Sequence, residues 1–337
     1  MEIDTDAILL RAYGNNTDIL IDRDQEAQSH ALLAHLGLAP QLLARFDNGL
    51  LYKYIIGQVC TPPDLIRKEV WQATARRLAE WHSVPIPENY YANRSTNGVN
   101  GQAQETKTQQ RMQVPNVWTV MQKWISALPS ESSSCKIRKN QLQTELNRSI
   151  EELQYPDSFA VPAMIFGHCD LLSANVIMLP KKKQPQASES SEVTDVRFID
   201  YEYATACPAA FDIANHFAEW GGYECDYAML PSRSVRRSFL DEYVRALPES
   251  SGSTAQETNA IAEGLFNQID EFRGMPGLYW GIWSLVQATI SQIDFDYASY
   301  AEVRLGEYFA WREESNGDRS KAGKEVTLRE SYWARVH

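Results

Sequence analysis

Long apolar runs are missing from this 337-residue sequence, where no stretch approaches the roughly 20 apolar residues of a membrane-spanning helix. No secretory leader is read at its start either, so a cytoplasmic protein is expected. Cysteine is scarce. The five that occur (Cys60, Cys135, Cys169, Cys207, Cys225) are odd in number and lack the paired spacing of metal ligands. This argues against a disulfide scaffold or a zinc module and for reduced, packed thiols. Positive charge is in deficit, with 32 Lys and Arg against 44 Asp and Glu and a net charge of −12. That balance disfavours nonspecific contact with nucleic acid or anionic membranes and suits a cationic small molecule. No internal repeat is visible. The length allows a large core, in one two-lobed domain or in two domains.

What is present centres on residues 167–175, Gly-His-Cys-Asp-Leu-Leu-Ser-Ala-Asn, followed by Phe198-Ile199-Asp200-Tyr201-Glu202. His168, Asp170 and Asn175 have the H-x-D-x-x-x-x-N spacing of a phosphotransferase catalytic loop. There the Asp accepts the proton of a substrate hydroxyl, and the Asn, five residues on, holds Mg²⁺. Asp200 ends the apolar run 196–199 and supplies a second metal carboxylate. Phosphoryl transfer requires charge neutralisation more than covalent chemistry, so these three side chains around Mg²⁺ suffice. Singly, each reads as an ordinary turn residue between strands; together they indicate a phosphotransferase lobe.

Around this stretch, short strands and longer helices are expected. Residues 7–13 read as a strand, 14–16 as a turn and 17–21 as a returning strand. Arg11 is a cation within an apolar run, facing a nucleotide or solubilising an edge strand. A helix over 22–36, stopped by Gly37, carries Glu26, which either pairs with Arg11 or complements the helix dipole. Asp47-Asn48-Gly49 centres a hairpin over 45–56. Residues 54–57 follow as a connector, where the backbone of Tyr54 and Ile56 could meet an adenine edge. Helical periodicity covers 65–83, with His82 capping or packing its end. Residues 89–110 are a polar loop or disordered insertion, and helices over 117–128 and 136–153 flank the Ser-rich stretch 130–134. Residues 176–179 and 196–199 form a hairpin with a long solvated tip. Helices over 211–220 and from the Ser232 cap to 243 precede a linker at 250–258. An apolar helix at 279–290, a helix through Trp311 and a charged tail complete the chain. Two units follow from this reading, 1–57 and 58–337, with polar insertions near 89–113, 181–194 and 249–258.

The C-terminal half is rich in aromatic residues: Trp220, Tyr223, Trp280, Trp283, Phe295, Tyr297 and Tyr300. Tyr and Trp faces attract organic cations by about 0.5–2 kcal/mol each. Glu219, Asp294 and Asp296 lie among them as counter-charges, although Trp280 and Trp283, on one helix face, would equally serve a large helical core.

Residues 11–15 (Arg-Ala-Tyr-Gly-Asn), 48–50 (Asn-Gly-Leu), 168–175, 198–204, 211–217 and 279–283 together resemble the choline/ethanolamine kinase family, from about residue 8 to 308. The Arg-x-Tyr-Gly-Asn turn, the Asn-Gly-Leu hairpin, and Asp226-Tyr227 leading to Pro231-Ser232-Arg233 are more similar to ethanolamine kinase. The resemblance implies a protein-kinase-like, two-lobed α+β fold, with a small sheet-containing N-lobe and a large, mainly helical C-lobe. It implies Mg²⁺- and ATP-dependent phosphorylation of ethanolamine, the first step towards phosphatidylethanolamine. Carried over by position, Asp170 is the base, Asn175 and Asp200 are the metal ligands, and Arg11 is the nucleotide cation paired with Glu26. Glu219, Trp280, Trp283, Phe295 and Tyr300 line the amino-alcohol pocket. A homodimer is compatible with the resemblance.

The family places a strand, a Gly/Ser/Thr-containing phosphate loop and a second strand before the Arg11 strand, where this sequence has residues 1–6. A shortened N-lobe and weak ATP affinity are therefore expected, and a catalytically impaired kinase-fold binding protein stands as an alternative. Choline kinase is another, as is an aminoglycoside phosphotransferase, which would want an acid-rich open cleft. Tyr223 lies one residue closer to Glu219 than the choline-kinase pattern, so fewer ring faces are expected on that wall.

Overall fold

The computed structural model describes residues 7–14, 17–86, 115–154, 162–180, 195–250 and 252–337. Strands β1 (Ile8–Ala12), β2 (Leu42–Phe46) and β3 (Gly49–Lys53) form an antiparallel sheet in the order β1-β3-β2. The β2–β3 turn falls at Asp47-Asn48, as its residue types predict, and Arg11 sits opposite Leu50. Residues 17–21 do not return as a strand. Thr17–Ile19 is a 3₁₀ turn, and the N–H groups of Leu20 and Ile21 both bond the Thr17 carbonyl. Leu20 and Ile21 are consecutive and both buried, which a strand with one solvated face does not permit. Helix α1 (Arg23–His35) starts where the Asp22 side chain accepts from the amides of Asp24 and Gln25, and Gly37 follows it at φ 71°.

Residues 54–57 cross to a second antiparallel sheet, β4-β6-β7, formed by β4 (Gln58–Val59), β6 (Val176–Met178) and β7 (Val196–Phe198). A Cβ on Gly57 would lie 2.6 Å from the Met178 carbonyl oxygen, so only glycine permits this crossing. Strands β5 (Ile165–Gly167) and β8 (Thr205–Cys207) make a separate antiparallel pair. Helices cover the rest. They are α2 (Pro62–Leu65), α3 (Lys68–His82), α4 (Val117–Ala127), α5 (Ser133–Glu152), α6 (Ala209–Ala218), α7 (Arg233–Ala246), α8 (Ala255–Phe272), α9 (Met275–Ile290), α10 (Tyr297–Ser315), α11 (Asp318–Lys321) and α12 (Leu328–Ala334). One continuous core runs through Trp81, Trp124, Phe166, Phe198, Phe211, Trp220 and Tyr279.

A further expectation needs correction. The linker at 250–258, and with it the insertion at 249–258, ends early. Thr254 caps α8 in a capping box with Glu257, and Ala262, Leu265, Phe266, Ile269 and Phe272 are buried at helical spacing. The charged tail carries α12, which buries Arg329, Glu330 and Trp333. Residues 1–6 and 15–16, and the polar stretches 89–113 and 181–194, lie outside the described residues. No described helix is long and apolar enough to cross a membrane, and none of the five cysteines is in a disulfide.

Candidate active site

The loop after β5 is held from behind by α6. Asp212 accepts the backbone N–H of His168 at 2.9 Å and of Cys169 at 2.7 Å. Asn215 Nδ2 donates to the Cys169 carbonyl at 3.0 Å, and His216 Nδ1 donates to the Leu171 carbonyl at 2.8 Å. These three polar side chains, spaced i, i+3 and i+4, form one stripe on an otherwise apolar helix. They are the residues that sequence reasoning missed, and the stripe itself was the available signal. Their grip supports Cys169 at φ 61°, a left-handed conformation that costs about 1–3 kcal/mol outside glycine. His82, buried at the end of α3, bonds Asp212 at 2.9 Å through Nε2 and the Tyr243 hydroxyl at 2.8 Å through Nδ1.

Asp170 is buried, and its Oδ1 has no partner among the described residues. Asn175 Nδ2 donates to the Asp170 carbonyl at 2.7 Å and to its Oδ2 at 3.2 Å. Burial first, then Asp200, Glu219 and Glu202, push the Asp170 carboxyl well above the usual carboxylate range. Asp200 follows β7 at φ 66°, and the neighbouring Ile199 N–H bonds the Asn175 carbonyl at 3.0 Å. The expected triplet Asp170, Asn175 and Asp200 thus converges on one spot.

Arg11 reaches the same spot from β1. Its Nη1 lies 3.0 Å from Glu26 Oε1 and 2.8 Å from Asp200 Oδ1, and its Nη2 bonds Glu202. Arg23, at the start of α1, bonds Glu26 at 2.8 Å and Glu202 at 3.1 Å. Three carboxylates therefore share two guanidinium groups. Burial, reinforced by Asp200 and Glu26 and opposed by the two arginines, pushes Glu202 up to about 7. Neither Arg23 nor Glu202 was singled out from sequence. Beside the connector, a cleft of about 420 Å³ is lined by Ile56, Gly57, Gln58, Arg67, Met178, Leu179 and Pro180. Ile56 belongs to that lining; Tyr54 does not.

The aromatic residues form a continuous run. Trp280 meets Tyr203 and Trp283, Trp283 meets Tyr297, and Phe295 meets Tyr297, Tyr300 and Tyr223, with ring centroids 4.8–6.5 Å apart. Trp280 Nε1 donates to Asn215 Oδ1 and Trp283 Nε1 to the Tyr203 hydroxyl, each at 2.8 Å. Tyr223, 60% exposed, meets only the edge of this run, with its ring centre 6.5 Å from that of Phe295. Glu219 is buried, its Oε1 taking a hydrogen bond from Arg304 Nη2 at 3.1 Å.

The oxygen set at the spot shared by Asp170, Asn175 and Asp200, with the unpartnered Asp170 Oδ1 among it, fits a hard divalent cation such as Mg²⁺. A second cluster, Cys169, Cys207 and Asp212, lies directly behind the loop. There both Asp212 oxygens are already bonded and burial pushes both thiols up, so it serves packing.

Residues 2–309 match the sequence pattern of the Choline/ethanolamine kinase family. The chain belongs to that family. Among its relatives, ethanolamine kinase of Drosophila melanogaster is 35% identical over 90% of this chain and 54% of its own length. Ethanolamine kinase 1 of Mus musculus is 33% identical over 92% of this chain and 78% of its own length. The chain thus spans about half of the first relative and over three quarters of the second. Among solved structures, Plasmodium vivax ethanolamine kinase superposes with a TM-score of 0.68 at 24% identity, covering 89% of this chain and 75% of that one. Choline kinase from Cryptosporidium parvum superposes at 0.60 with 19% identity, covering 97% and 86%. At these identities the likeness is one of fold, the protein-kinase-like α+β architecture of choline/ethanolamine kinases.

Proposed function

We propose that the protein is an ethanolamine kinase, transferring the γ-phosphoryl group of ATP to the hydroxyl of ethanolamine to give phosphoethanolamine and ADP. The observation that carries this is Asp170: a buried carboxylate with one unpartnered oxygen, raised above its ordinary range, beside two other oxygen-bearing side chains. When ionised, such a group is a strong proton acceptor for a hydroxyl placed against it. The proton goes to Asp170, the substrate oxygen forms a bond to the γ-phosphorus, and the bond to the ADP oxygen breaks.

Asp200 and Asn175 are the residues to hold Mg²⁺, which when bound neutralises charge on the phosphates. Arg11, fixed by Glu26, supplies a positive charge close by, and the cleft lined by Ile56 and Met178 suits the nucleotide base. Glu219 and the rings of Trp280, Trp283, Phe295, Tyr300 and Tyr223 suit the substrate ammonium. A primary ammonium carries three N–H donors that must be paired once desolvated, and Glu219 offers an acceptor. Relatives named ethanolamine kinase at 35% and 33% identity support the same substrate. The aromatic run, with Tyr223 at its edge, favours choline as the second reading. An ADP-release assay with ethanolamine, choline and buffer alone distinguishes the two, ethanolamine giving the higher kcat/KM.

A further inference from the structure

Arg304 is a cation in an unexpected place. It is 1% exposed, and its guanidinium carbon lies 5.9 Å from the centre of the Tyr300 ring, a wall of the proposed ammonium pocket. A buried cation there repels another unless it is countered. Arg304 Nη2 donates to Glu219 Oε1 at 3.1 Å, and its Nε lies 3.3 Å from Glu307 Oε2. Glu307 in turn stands 3.9 Å from Arg329 Nε on α12. Arg329 is shared, since its Nη1 also binds Glu330 at 2.8 Å, and Glu330 takes Arg273 Nε at 2.7 Å.

Were Arg304 opposed by Glu219 alone, the two charges would cancel and the pocket would lose its attraction for a cation. With Glu307 on the same guanidinium, the group Glu219, Arg304 and Glu307 retains one net negative charge. Arg329 is farther off, and with Arg273 and Glu330 it forms an outer trio of one net positive charge, which balances the inner group only from beyond Glu307. Glu219 Oε2 takes no hydrogen bond among the described residues, so one oxygen stays available. We propose that Glu307 is a positioning residue for the amino alcohol: by sharing Arg304 it leaves Glu219 an oxygen and a net charge for the substrate ammonium. It is itself held by Arg329 of the C-terminal helix, which lies beyond the family match ending at residue 309. The inference rests on the ethanolamine kinase reading and adds to it a residue that never touches substrate.

Glu307→Gln keeps the size of the side chain and removes its charge. Steady-state kinetics of the full chain should show the ethanolamine KM rising about tenfold, with the ATP KM and kcat changing less than about twofold. Calorimetric titration of ethanolamine without ATP should show the same shift in Kd. Glu307→Asp, which retains the charge, should bring the ethanolamine KM back to within about threefold of wild type. An unmoved ethanolamine KM and Kd in folded E307Q, or an ATP KM rising in step, overturns the proposal. If E307Q fails to fold, the Asp variant decides: a mild rise confined to ethanolamine supports the proposal, and equal losses for both substrates overturn it. Wild-type turnover of ethanolamine is read in the same series. Its absence overturns the kinase reading together with the proposal, whereas turnover with an unmoved E307Q overturns the proposal alone.

Discussion

Asp212 accepts the backbone N–H of Cys169 at 2.7 Å across 43 residues of sequence, and that bond fixes the His168–Cys169 peptide, one residue before Asp170. The same carboxylate takes the His168 N–H, so one side chain holds two successive amides of a strained loop. Asp212→Asn turns one acceptor oxygen into a donor facing donors. The expected cost is about 3 kcal/mol of stability, from a buried network left unpaired. Turnover should fall as well, because Asp170 loses its fixed orientation. Urea unfolding and kcat measured on the same preparation check both, and a stable variant with unchanged kcat would show that the loop is held by other contacts.

His216 gives a pH-dependent prediction. Its Nδ1–H donates to the Leu171 carbonyl and its Nε2 accepts from Trp220 Nε1 at 3.2 Å, so only the neutral ring satisfies both. Burial lowers it from 6.5 to about 4. A group lowered on folding contributes stability that is full above its unfolded value and is lost as pH falls towards the folded value. The window is therefore pH 6.5 down to 4. By linkage, wild type should lose about 2 kcal/mol through this group between pH 7.5 and pH 5. His216→Gln should be less stable at pH 7.5 but should lose correspondingly less on acidification. Parallel stability curves for the two proteins across that window would remove His216 as the titrating group.

Asp200 carries a separate expectation. In the free protein its carboxylate is paired with Arg11 at 2.8 Å, a partner that compensates its charge. Asp200→Asn should raise the Mg²⁺ concentration for half-maximal activity by about tenfold or more while leaving the ethanolamine KM nearly unchanged. If excess Mg²⁺ never restores rate and the ethanolamine KM alone rises, Asp200 belongs to the other pocket.

Glu219→Gln tests the choice of substrate. A primary ammonium loses its paired acceptor, while a trimethylammonium has no donor to lose. The variant should lower kcat/KM for ethanolamine about tenfold more than for choline. Equal losses, or a wild-type preference for choline, would reverse the assignment of substrate and leave the phosphoryl transfer chemistry standing.

What could be read from the sequence was what lies close together in it. His168, Asp170 and Asn175 fall within one short loop and Asp200 just after β7, the second strand of the hairpin that follows, so spacing alone brought them together. Helix α1 was marked at both ends, by Asp22 and Gly37. Contacts between distant segments left no such mark. Glu219 meets Arg304 across 85 residues, and Arg11 meets Glu202 across 191. Nothing in the spacing of those residues distinguishes partners from ordinary surface charges. Helix α8 was missed for a different reason: the polar run into Thr254 and Glu257 read as linker, whereas those residues cap the helix. Leu20 and Ile21 misled because a short apolar pair carries no period by which strand and turn can be told apart.

The central claim is that Asp170 takes the proton from an amino alcohol as phosphate is transferred to it. The most direct measurement is ADP release from Mg²⁺-ATP by wild type and Asp170→Asn, each with ethanolamine and with buffer alone. Wild type should release ADP only with ethanolamine, forming one phosphoethanolamine per ADP, and Asp170→Asn should be slower by about 10²–10⁴-fold with its fold retained. ADP release that does not depend on ethanolamine, or a folded Asp170→Asn that turns over at the wild-type rate, would contradict the account.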